Sequence, residues 1–382
     1  MHRNATTNVC PRCADPTFSN LLTAATHLPY NGAIASAGAR LGGDPANPIP
    51  DEGTAMRYDL RRGIRAPLLL LAAIALLAAA CSSGSDNQSS GSSGGLETST
   101  ITLGSLPVVD AAPAYIADKA GYFKAEGLTV KFQQAQGGAA LVPALVSGSI
   151  QIAFSNWVSL FLAKSNGIDL QVIADGDKAK PGFSGVFVMP NSPIKKPADL
   201  AGKKIAVNTL NNIGGLVISA VLKDQGVDPK SVKFVEVGFP DMGAALQRGD
   251  VDAVWVVEPF TSAVKGTLNA RVVFDPFSGP TAALPVGGYA VTKKFADSNP
   301  KTVAAFARAL DKAVSDANAD RSKVNEVVPT YIKIDAATAA KVTLPIYAAT
   351  PNPMELQRVA DLMQQFGTLK QHMDVASFTR SG

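Results

Sequence analysis

The sequence predicts an α/β fold of two lobes with largely parallel strands, and three observations lead to this prediction. From about residue 98 onward, short β-rich runs alternate with helical stretches, which is the order typical of parallel sheets. The chain has 382 residues, of which 46% are hydrophobic and 17% charged, so it is long and apolar enough for two modest domains. One segment also repeats further along the chain, which indicates that both lobes follow the same plan.

The first series of elements follows residue 98. Strands are expected at residues 101–106, 129–134, 150–154, 170–174 and 185–189, where short apolar runs are rich in β-branched and aromatic residues. Helices are expected at residues 113–127, 139–147 and 158–165. In the first of these helices, Tyr115, Ala120 and Phe123 are available to the core.

A second series begins near residue 195 and repeats part of the first. It contains a strand at residues 204–207, a helix at 214–225 and a strand at 232–237. Residues 144–153 (ALVSGSIQIA) and 245–254 (ALQRGDVDAV) share a helix end, a glycine stop and a strand start. A tryptophan follows each copy, at Trp157 and Trp255.

The last part of the chain is predicted to be helical. Asn299 places an N-cap before the first-turn proline Pro300, and Asn352 precedes Pro353 in the same way. Gly367 ends the second of these helices. Both helices are expected to pack on the first lobe.

The distribution of charged, thiol and imidazole groups excludes several function classes. The formal net charge is +4, with 7 basic and 5 acidic residues before Cys81 and 28 and 26 after it, so no polycationic region points to nucleic acid as a partner. The remaining cysteines and all the histidines are Cys10, Cys13, His2, His27 and His372. The body of the chain therefore lacks the groups for disulfides, for Ser-His-Asp or Cys-His catalysis and for the usual zinc sites, and no metal or cofactor is predicted.

Residues 56–80 are predicted to be an export signal. Residues 67–80 (PLLLLAAIALLAAA) are uncharged, follow four arginines, and are shorter than the run of about 20 apolar residues that spans a membrane. The LLAAAC sequence resembles the lipobox of bacterial lipoproteins, in which the cysteine is lipidated, although Ala78 stands where the lipobox usually has leucine. Cys81 is thus the expected lipidation site, and the alternative is a small buried cysteine at the end of a core helix. The Ser/Gly-rich residues 81–97 favour a flexible tether and a membrane anchor.

The first 55 residues fit no role in that arrangement. Their lone CPRC sequence, with no second pair and no histidine at zinc spacing, is a weak metal signal. Export signals begin close to the initiator methionine, and Met56 lies just ahead of the arginines. Residues 1–55 are therefore expected to be a non-native extension.

Four segments carry a family likeness. PAYIADKAGYFKAEGLTV, GGAALVPALVSGSIQIAF, DLAGKKIAV and ALQRGDVDAVWVVEPF resemble the ABC-importer solute-binding proteins for sulfonates, nitrate, taurine and thiamine-precursor pyrimidines, over about residues 101–297. Gln151 departs from the pattern, since the family usually has an acidic residue there. The resemblance implies a monomer with a two-lobed periplasmic-binding-protein type II fold, which closes on a small solute and works with an ABC transporter permease.

The same resemblance implies two crossover strands between the lobes. Lobe I is expected to comprise residues 98–188 and 285–382, and lobe II residues 189–284, with hinges near residues 185–191 and 284–292.

The predicted solute site lies in the loops that follow the strands, because open parallel sheets bind ligands at the carboxyl ends of their strands. The residues expected to contact the solute are Asp110, Gly137, Gly138, Ser155, Asn156, Trp157, Asn208, Asn211, Asn212, Gly214, Asp241, Glu258 and Tyr289.

Several of these residues have a second interpretation. Gly137 and Gly138, like residues 211–214, precede helices, so their N–H groups either hold the solute or take part in ordinary capping. Trp157 either stacks on a planar solute or fills the core, and the apolar run around Trp255 favours the core for that residue. Glu258 either contacts the solute or forms an interlobe salt bridge.

The predicted function is that of a lipid-anchored extracytoplasmic protein that captures a sulfonate-like or taurine-like solute for an ABC importer. An aminopyrimidine related to thiamine precursors is the alternative solute. A more remote alternative is an enzyme similar to the fungal thiamine-pyrimidine synthases, which use a cysteine-rich motif and histidine. The candidate loops contain Asp110, Asp241 and Glu258 but no Lys or Arg, so they favour a solute with a cationic or hydrogen-bond-donating part.

Overall fold

The structure, a computed structural model, describes residues 95–380. These residues lie within one compact unit, Ser89–Gly382. The predicted extension, the export signal, Cys81 and most of the tether lie outside the described residues. Within residues 95–380, no helix combines the length and the apolar character needed to cross a membrane.

Eleven strands form two sheets in the described part of the chain. The strands are β1 (Thr100–Ser105), β2 (Thr129–Gln134), β3 (Ile152–Asn156), β4 (Leu170–Lys178), β5 (Ser184–Val188), β6 (Lys204–Val207), β7 (Lys233–Glu236), β8 (Ala253–Val257), β9 (Arg271–Phe274), β10 (Pro285–Thr292) and β11 (Ile346–Tyr347). The first sheet has the order β11-β4-β10-β3-β1-β2, and the second has the order β7-β6-β8-β5-β9.

Helices cover and connect these sheets. They are α1 (Ala112–Lys119), α2 (Tyr122–Ala125), α3 (Val142–Ser147), α4 (Trp157–Ser165), α5 (Ile213–Asp224), α6 (Phe239–Arg248), α7 (Phe260–Leu268), α8 (Lys293–Ser298), α9 (Pro300–Ala319), α10 (Arg321–Tyr331), α11 (Ala336–Ala339) and α12 (Pro353–Gln365). The helix predicted over residues 113–127 is divided into α1 and α2, because Gly121 adopts a left-handed conformation with φ 74°.

The two sheets follow one plan. In the first, β1 is parallel to β2 and β3, and β10 joins antiparallel between β3 and β4. In the second, β6 is parallel to β7 and β8, and β5 joins antiparallel between β8 and β9. The sequence repeat marks equivalent positions, since Gly148 and Gly249 end α3 and α6 with φ values of 77° and 76°. The predicted α/β fold with two lobes is confirmed.

The chain passes between the sheets twice, from β4 to β5 and from β9 to β10. Strand β5 pairs with β8 and β9 in the second sheet, whereas residues 184–188 were predicted to belong to lobe I. The first crossing thus falls at residues 179–183, ahead of the hinge expected near residue 185. Residues 172–174 of β4 and 186–188 of β5 are apolar and buried, and hydrophobicity alone does not tell to which sheet such a strand belongs.

Trp157 is a large side chain at the centre of the first lobe. It is fully buried, and it packs against Gly288 of β10 so closely that a Cβ at Gly288 would lie 2.2 Å from Cζ2 of the indole and 2.9 Å from the backbone oxygen of Ala174. Only a glycine lets the strand approach the ring at this position. Trp157 therefore belongs to the core.

We expect Gly288→Ala to destabilise the protein by about 1–3 kcal/mol or more, because a methyl group collides with both a rigid ring and a backbone oxygen. Urea denaturation measures this loss. Gly266→Ala is the matched control: Gly266 lies in α7 with open space around it, so alanine should stabilise the helix by up to about 1 kcal/mol. Equal effects of the two substitutions would show that the collision at Gly288 is not the cause.

Candidate functional site

A small cavity lies between the two sheets, where the carboxyl ends of the parallel strands meet. Its volume is about 40 Å³, and it is lined by Leu106, Val108, Asp110, Phe154, Asn156, Asn208, Ile213, Phe239, Trp255, Val257, Val286 and Gly287. The lining comes from the ends of β1, β3, β6 and β8, and from the first residues of β10. This is the edge at which open α/β sheets bind ligands.

Three polar atoms in this lining have no hydrogen-bond partner in the described part of the chain. They are Oδ2 of Asp110, Oδ1 of Asn208 and Nε1 of Trp255. All three side chains are less than a tenth exposed. Because buried polar groups are normally paired, these atoms indicate where a ligand would form hydrogen bonds with both lobes.

Asp110 lies on a 3-10 turn, Val109–Ala111, that connects β1 to α1. Asp110 is the one ionisable residue among the described residues that line the cavity. Burial raises the pKa of Asp110 to about 7, because a carboxylate loses its hydration in this apolar setting. The cavity therefore presents an acid poised to ionise near neutral pH.

Two further buried acids lie on β4, next to the cavity wall. Burial raises the pKa of Asp175 to about 7 and that of Asp177 well above its ordinary value. The strand predicted from the sequence covered only residues 170–174 and missed both acids. These aspartates directly follow an apolar run, and their buried strand neighbours were the signal that could have extended the predicted strand to include them.

Hydrogen bonds connect the two lobes around the cavity. Nδ2 of Asn212 at the start of α5 donates to Oγ of Ser159 in α4, at 2.8 Å. The backbone N–H of Thr343, before β11, donates to Oε1 of Glu258 at 3.1 Å. The lobes are thus in contact in this conformation, and the cavity between them is small.

Glu258 serves mainly as one of these connections. Its carboxylate also accepts hydrogen bonds from the N–H of Ser262 at 3.1 Å and from Oγ of Ser262 at 2.9 Å. The residue is 1% exposed and its partner in lobe I is a backbone amide, not the charged side chain of a salt bridge. It does not line the cavity, although it stays a predicted solute-binding residue.

Three of the predicted residues, Asp110, Asn156 and Asn208, line the cavity, and Gly137 and Gly138 pack closely against polar side chains. Asn156 lines the cavity and caps α4 by accepting from the N–H of Ser159 at 2.9 Å. Gly137 approaches lobe II, since a Cβ there would lie 2.6 Å from Oγ1 of Thr209. Gly138 lies against Ser155 in lobe I, since a Cβ there would lie 1.8 Å from Oγ of the serine.

Besides Trp157 in the core, four predicted residues occupy other positions. Asn211 is exposed and adopts a left-handed conformation with φ 51°, and Asp241 is exposed in the first turn of α6. Gly214 allows close packing of α5 on Trp255, because a Cβ there would lie 2.4 Å from Cε3 of the indole. Tyr289 is buried within β10, where a loop was predicted from the sequence.

A larger groove of about 590 Å³ lies between α5 and α12, on the surface. Its lining includes Lys223, Asp228 and Lys230, but none of its side chains carries a buried atom without a partner among the described residues. The interlobe cavity is therefore the better candidate for a solute site.

The comparisons with known proteins agree with this architecture. The profile of the family described as NMT1/THI5 like matches residues 109–323, which is more than half of the chain. The chain belongs to the NMT1/THI5-like family. The resemblance to sulfonate-binding, taurine-binding and thiamine-precursor-binding proteins is confirmed at this level.

Two curated relatives are binding proteins. The taurine-binding periplasmic protein of Escherichia coli (strain K12) is 34% identical over 200 residues, which cover 52% of this chain and 61% of that protein. The formylaminopyrimidine-binding protein of Halalkalibacterium halodurans is 27% identical over 159 residues, covering 42% of this chain and 47% of that protein. The matches thus span less than two thirds of the length of these relatives.

A solved structure shows the same fold. The alkanesulfonate-binding protein SsuA from Xanthomonas axonopodis pv. citri, bound to MOPS, aligns with a TM-score of 0.65 at 19% identity. The alignment covers 75% of this chain and 99% of that protein. The predicted periplasmic-binding-protein fold is confirmed.

The raised pKa of Asp175 predicts that stability falls as pH rises. The folded protein holds this proton up to about pH 7 and the unfolded chain releases it near 3.8, so the folded state binds more protons between these values. Asp175→Asn removes the buried charge and keeps an acceptor for the N–H of Gly176. We expect the variant to lose less stability than the wild type between about pH 5 and 7, by roughly 1 kcal/mol per pH unit in thermal unfolding.

The matched control for this measurement is Asp241→Asn, which changes an exposed aspartate and should leave the pH dependence of stability as it is. An Asp175→Asn variant that lost stability with pH as steeply as the wild type would contradict the prediction.

Proposed function

We propose that this chain is the extracytoplasmic solute-binding component of an ABC importer. In this proposal the protein is a monomer that captures a small organic solute between its lobes and delivers the solute to a permease. The observation that carries the proposal is the small interlobe cavity with the unpartnered Oδ2 of Asp110 in its wall. The family and the names of the two curated relatives support it.

The size of the cavity supports a clamp-like movement. A volume of about 40 Å³ holds only a few water molecules, since one water requires roughly 10–15 Å³. A solute of more than a few heavy atoms enters only when the interlobe hydrogen bonds of Asn212 and Glu258 open. The two crossings between the sheets are the natural hinges for this movement.

We further propose that the solute carries an amine or ammonium group that binds Asp110. The described lining contains no Lys, Arg or His, so nothing in it neutralises a bare anion next to this carboxyl. The carboxylate of Glu258 already accepts three hydrogen bonds, which leaves Asp110 as the acidic partner. A taurine-like amino-sulfonate meets this requirement.

The sulfonate end of such a solute fits the starts of α4 and α5. Both helices point their N-termini toward the cavity border, where Ser159 and Asn212 already form a hydrogen bond across the lobes. Helix N-termini stabilise oxyanions through backbone N–H groups, by roughly 0.3–1 kcal/mol each at exposed sites. An amino-sulfonate therefore matches the acid on one side and the helix starts on the other.

An aminopyrimidine is the second candidate, and the aromatic lining favours it. Phe154, Phe239 and Trp255 offer flat faces to a planar ring. The unpartnered Nε1 of Trp255 can donate to a ring nitrogen while Asp110 accepts from an exocyclic amine. Binding measurements with both solutes separate the two candidates.

We propose capture without chemistry. After Cys81 the chain has no cysteine and a single histidine, His372, which is exposed and does not line the cavity. The cysteine-rich motif of the enzyme alternative thus has no counterpart in this region. Conversion of taurine or an aminopyrimidine by the purified protein would favour the enzyme.

The solute class is tested by calorimetry at neutral pH with taurine, formylaminopyrimidine, nitrate and a simple alkanesulfonate. We expect one of the two amine-bearing solutes to bind, and Asp110→Asn to weaken it at least about tenfold, because a charge-assisted hydrogen bond is lost. Asp241→Asn is the control, since it removes an exposed carboxyl of the predicted loops. Micromolar binding of nitrate or the alkanesulfonate, unaffected by Asp110→Asn, would refute the proposed solute class.

We propose that lipid on Cys81 anchors the mature protein to the outer face of the cell membrane. The lipobox-like LLAAAC and the Ser/Gly-rich segment after it support this. We expect Cys81→Ser to release the protein from the membrane fraction, as detected by fractionation and mass spectrometry. Ser82→Ala is a control in the adjacent residue. A Cys81→Ser protein that still sediments with membranes and keeps its mass would exclude this anchor.

A further inference from the structure

Asp177 is a completely buried acid that the proposed function does not use. It lies near the end of β4 with 0% exposure, and neither of its carboxylate oxygens has a donor among the described residues. β4 contacts the turn Val109–Ala111 that carries Asp110, and the carboxyls of Asp177 and Asp110 interact with each other. Asp177 does not line the cavity, whereas Asp110 does. Asp177 therefore lies behind the lining of the cavity, next to Asp110 and Gly287.

Two buried carboxyl groups that interact require a proton between them, although the backbone N–H of Gly287 also acts on the carboxyl of Asp177. Two bare carboxylates at this distance would repel each other in a medium of low polarity. Asp177 is the more deeply buried group and holds the proton more tightly: burial raises its pKa well above its ordinary value, and the charge of Asp110 raises it further. Asp177 is thus the donor of the pair and Asp110 the acceptor.

The pKa of Asp110 is shifted in opposite directions by burial and by the hydrogen bond from Asp177. Burial raises the pKa of Asp110 to about 7, while the hydrogen bond from Asp177 lowers it and so limits the rise. Without that hydrogen bond, Asp110 would remain protonated at neutral pH and could not accept from a solute ammonium as a carboxylate.

The groups around the pair do not replace this donor. The hydroxyl of Tyr347 in β11 donates to the backbone oxygen of Val109, at 3.0 Å. The hydroxyl of Tyr331 in α10 donates to the backbone oxygen of Val108, also at 3.0 Å. Both phenols are therefore occupied by backbone acceptors.

The remaining neighbours are acidic, phenolic or distant. In the described range, the hydroxyl of Tyr289 in β10 is buried without a partner, and that of Tyr115 in α1 shares a hydrogen bond with Ser105. Asp175 on β4 adds negative charge near Asp177. The nearby basic side chains interact electrostatically with other residues, Lys178 with Asp175 and Arg321 with Tyr347. The backbone oxygen of Glu258 lies 3.5 Å from the N–H of Val109, and its carboxylate is bound elsewhere.

We propose that Asp177 is a positioning residue that sets the specificity of the solute site: it remains protonated, donates its carboxyl proton to Asp110, and thereby keeps Asp110 available as a carboxylate for a cationic solute group. This inference rests on the proposed function. When Asp110 is protonated as well, binding of an ammonium group releases that one proton to water, so the charge of the complex is unchanged. Asp177 keeps its own proton throughout.

The first experiment needs no solute. At about pH 9, Asp110 and Asp175 are ionised. If Asp177 keeps its proton as proposed, the purified protein should show the infrared carbonyl stretch of a protonated carboxyl group at this pH. Asp177→Asn should remove this band, and Asp175→Asn should leave it. Absence of the band in the wild type, or its survival in Asp177→Asn, would overturn the inference.

The second experiment compares two substitutions at the same position by calorimetry with taurine between about pH 5.5 and 8.5. Asp177→Leu removes the donor, so we expect the pH at which binding becomes strong to rise and the affinity at pH 7 to fall roughly five- to tenfold. Asp177→Asn retains an N–H donor, so its affinity for taurine and the midpoint of the pH dependence of binding should stay close to the wild-type values. Equal losses in both variants, or an unchanged midpoint in Asp177→Leu, would overturn the inference.

The two experiments separate this inference from the proposed function. If taurine does not bind the wild type, the amino-sulfonate proposal fails, while the infrared band still decides whether Asp177 holds the proton. If Asp177→Leu does not fold, the infrared comparison of the wild type with Asp177→Asn decides the same question. Asp175→Asn, at the neighbouring buried acid, should keep the wild-type midpoint for taurine.

Discussion

The antiparallel pairing of β4 with β10 is the constraint on which the rest of the structure depends. β4 carries the chain out of the first lobe, and β10 brings it back after the whole of the second lobe has been formed. Pairing these strands over most of their length fixes both crossings side by side. Because the second sheet is attached only after β4 and before β10, this pairing sets where the lobes meet and where they can move.

The pairing also shapes the region below the cavity. Gly287 is opposite Asp177 and Gly288 is opposite Asp175, so Gly176 is an extra residue in β4 and forms a bulge. A Cβ on Gly176 would lie 2.7 Å from the backbone oxygen of Gly287, so glycine allows the strands to approach here. The bulge is located between the two buried acids, one of which reaches Asp110. An irregularity of the sheet thus coincides with the electrostatic centre of the site.

Placement of an acid in an apolar cavity makes the chemistry of this site depend on protonation. A carboxyl that is fully hydrated ionises well below neutral pH and would be a permanent charge. In this setting, burial raises the pKa of Asp110 to about 7, and the interaction with Asp177 limits the rise. The unpartnered atoms of Asn208 and Trp255 add one acceptor and one donor from the other lobe to the lining of the cavity.

Much of the fold followed from the sequence, because local signals determine individual elements. The strand at residues 129–134, the strand at 204–207 and the helix that starts at Pro300 were predicted within one or two residues of their bounds, and the glycine stop repeated at Gly148 and Gly249 revealed the common plan of the lobes. Such signals rest on hydrophobic periodicity, capping and the conformational freedom of glycine, which all act over a few residues. Because open parallel sheets bind ligands at the carboxyl ends of their strands, the sequence also identified Asp110, Asn156 and Asn208 as residues at the edge of the sheets between the lobes.

Tertiary structure decided the strand partners and the burial of side chains, which those local signals do not contain. Sequence periodicity did not assign β5 to the second sheet or show that Tyr289 lies in a strand, since partners of a strand are set by contacts distant along the chain. Glu258 looked equivalent to Asp110 as an acid at a strand end, yet an amide more than eighty residues away occupies its carboxylate. The interaction between Asp110 and Asp177 depends on burial, which is a property of the packed molecule and not of any short segment. The sequence by itself therefore determined the elements and the edge at which they meet, and only the folded molecule decided which acid lines the cavity and which is bound elsewhere.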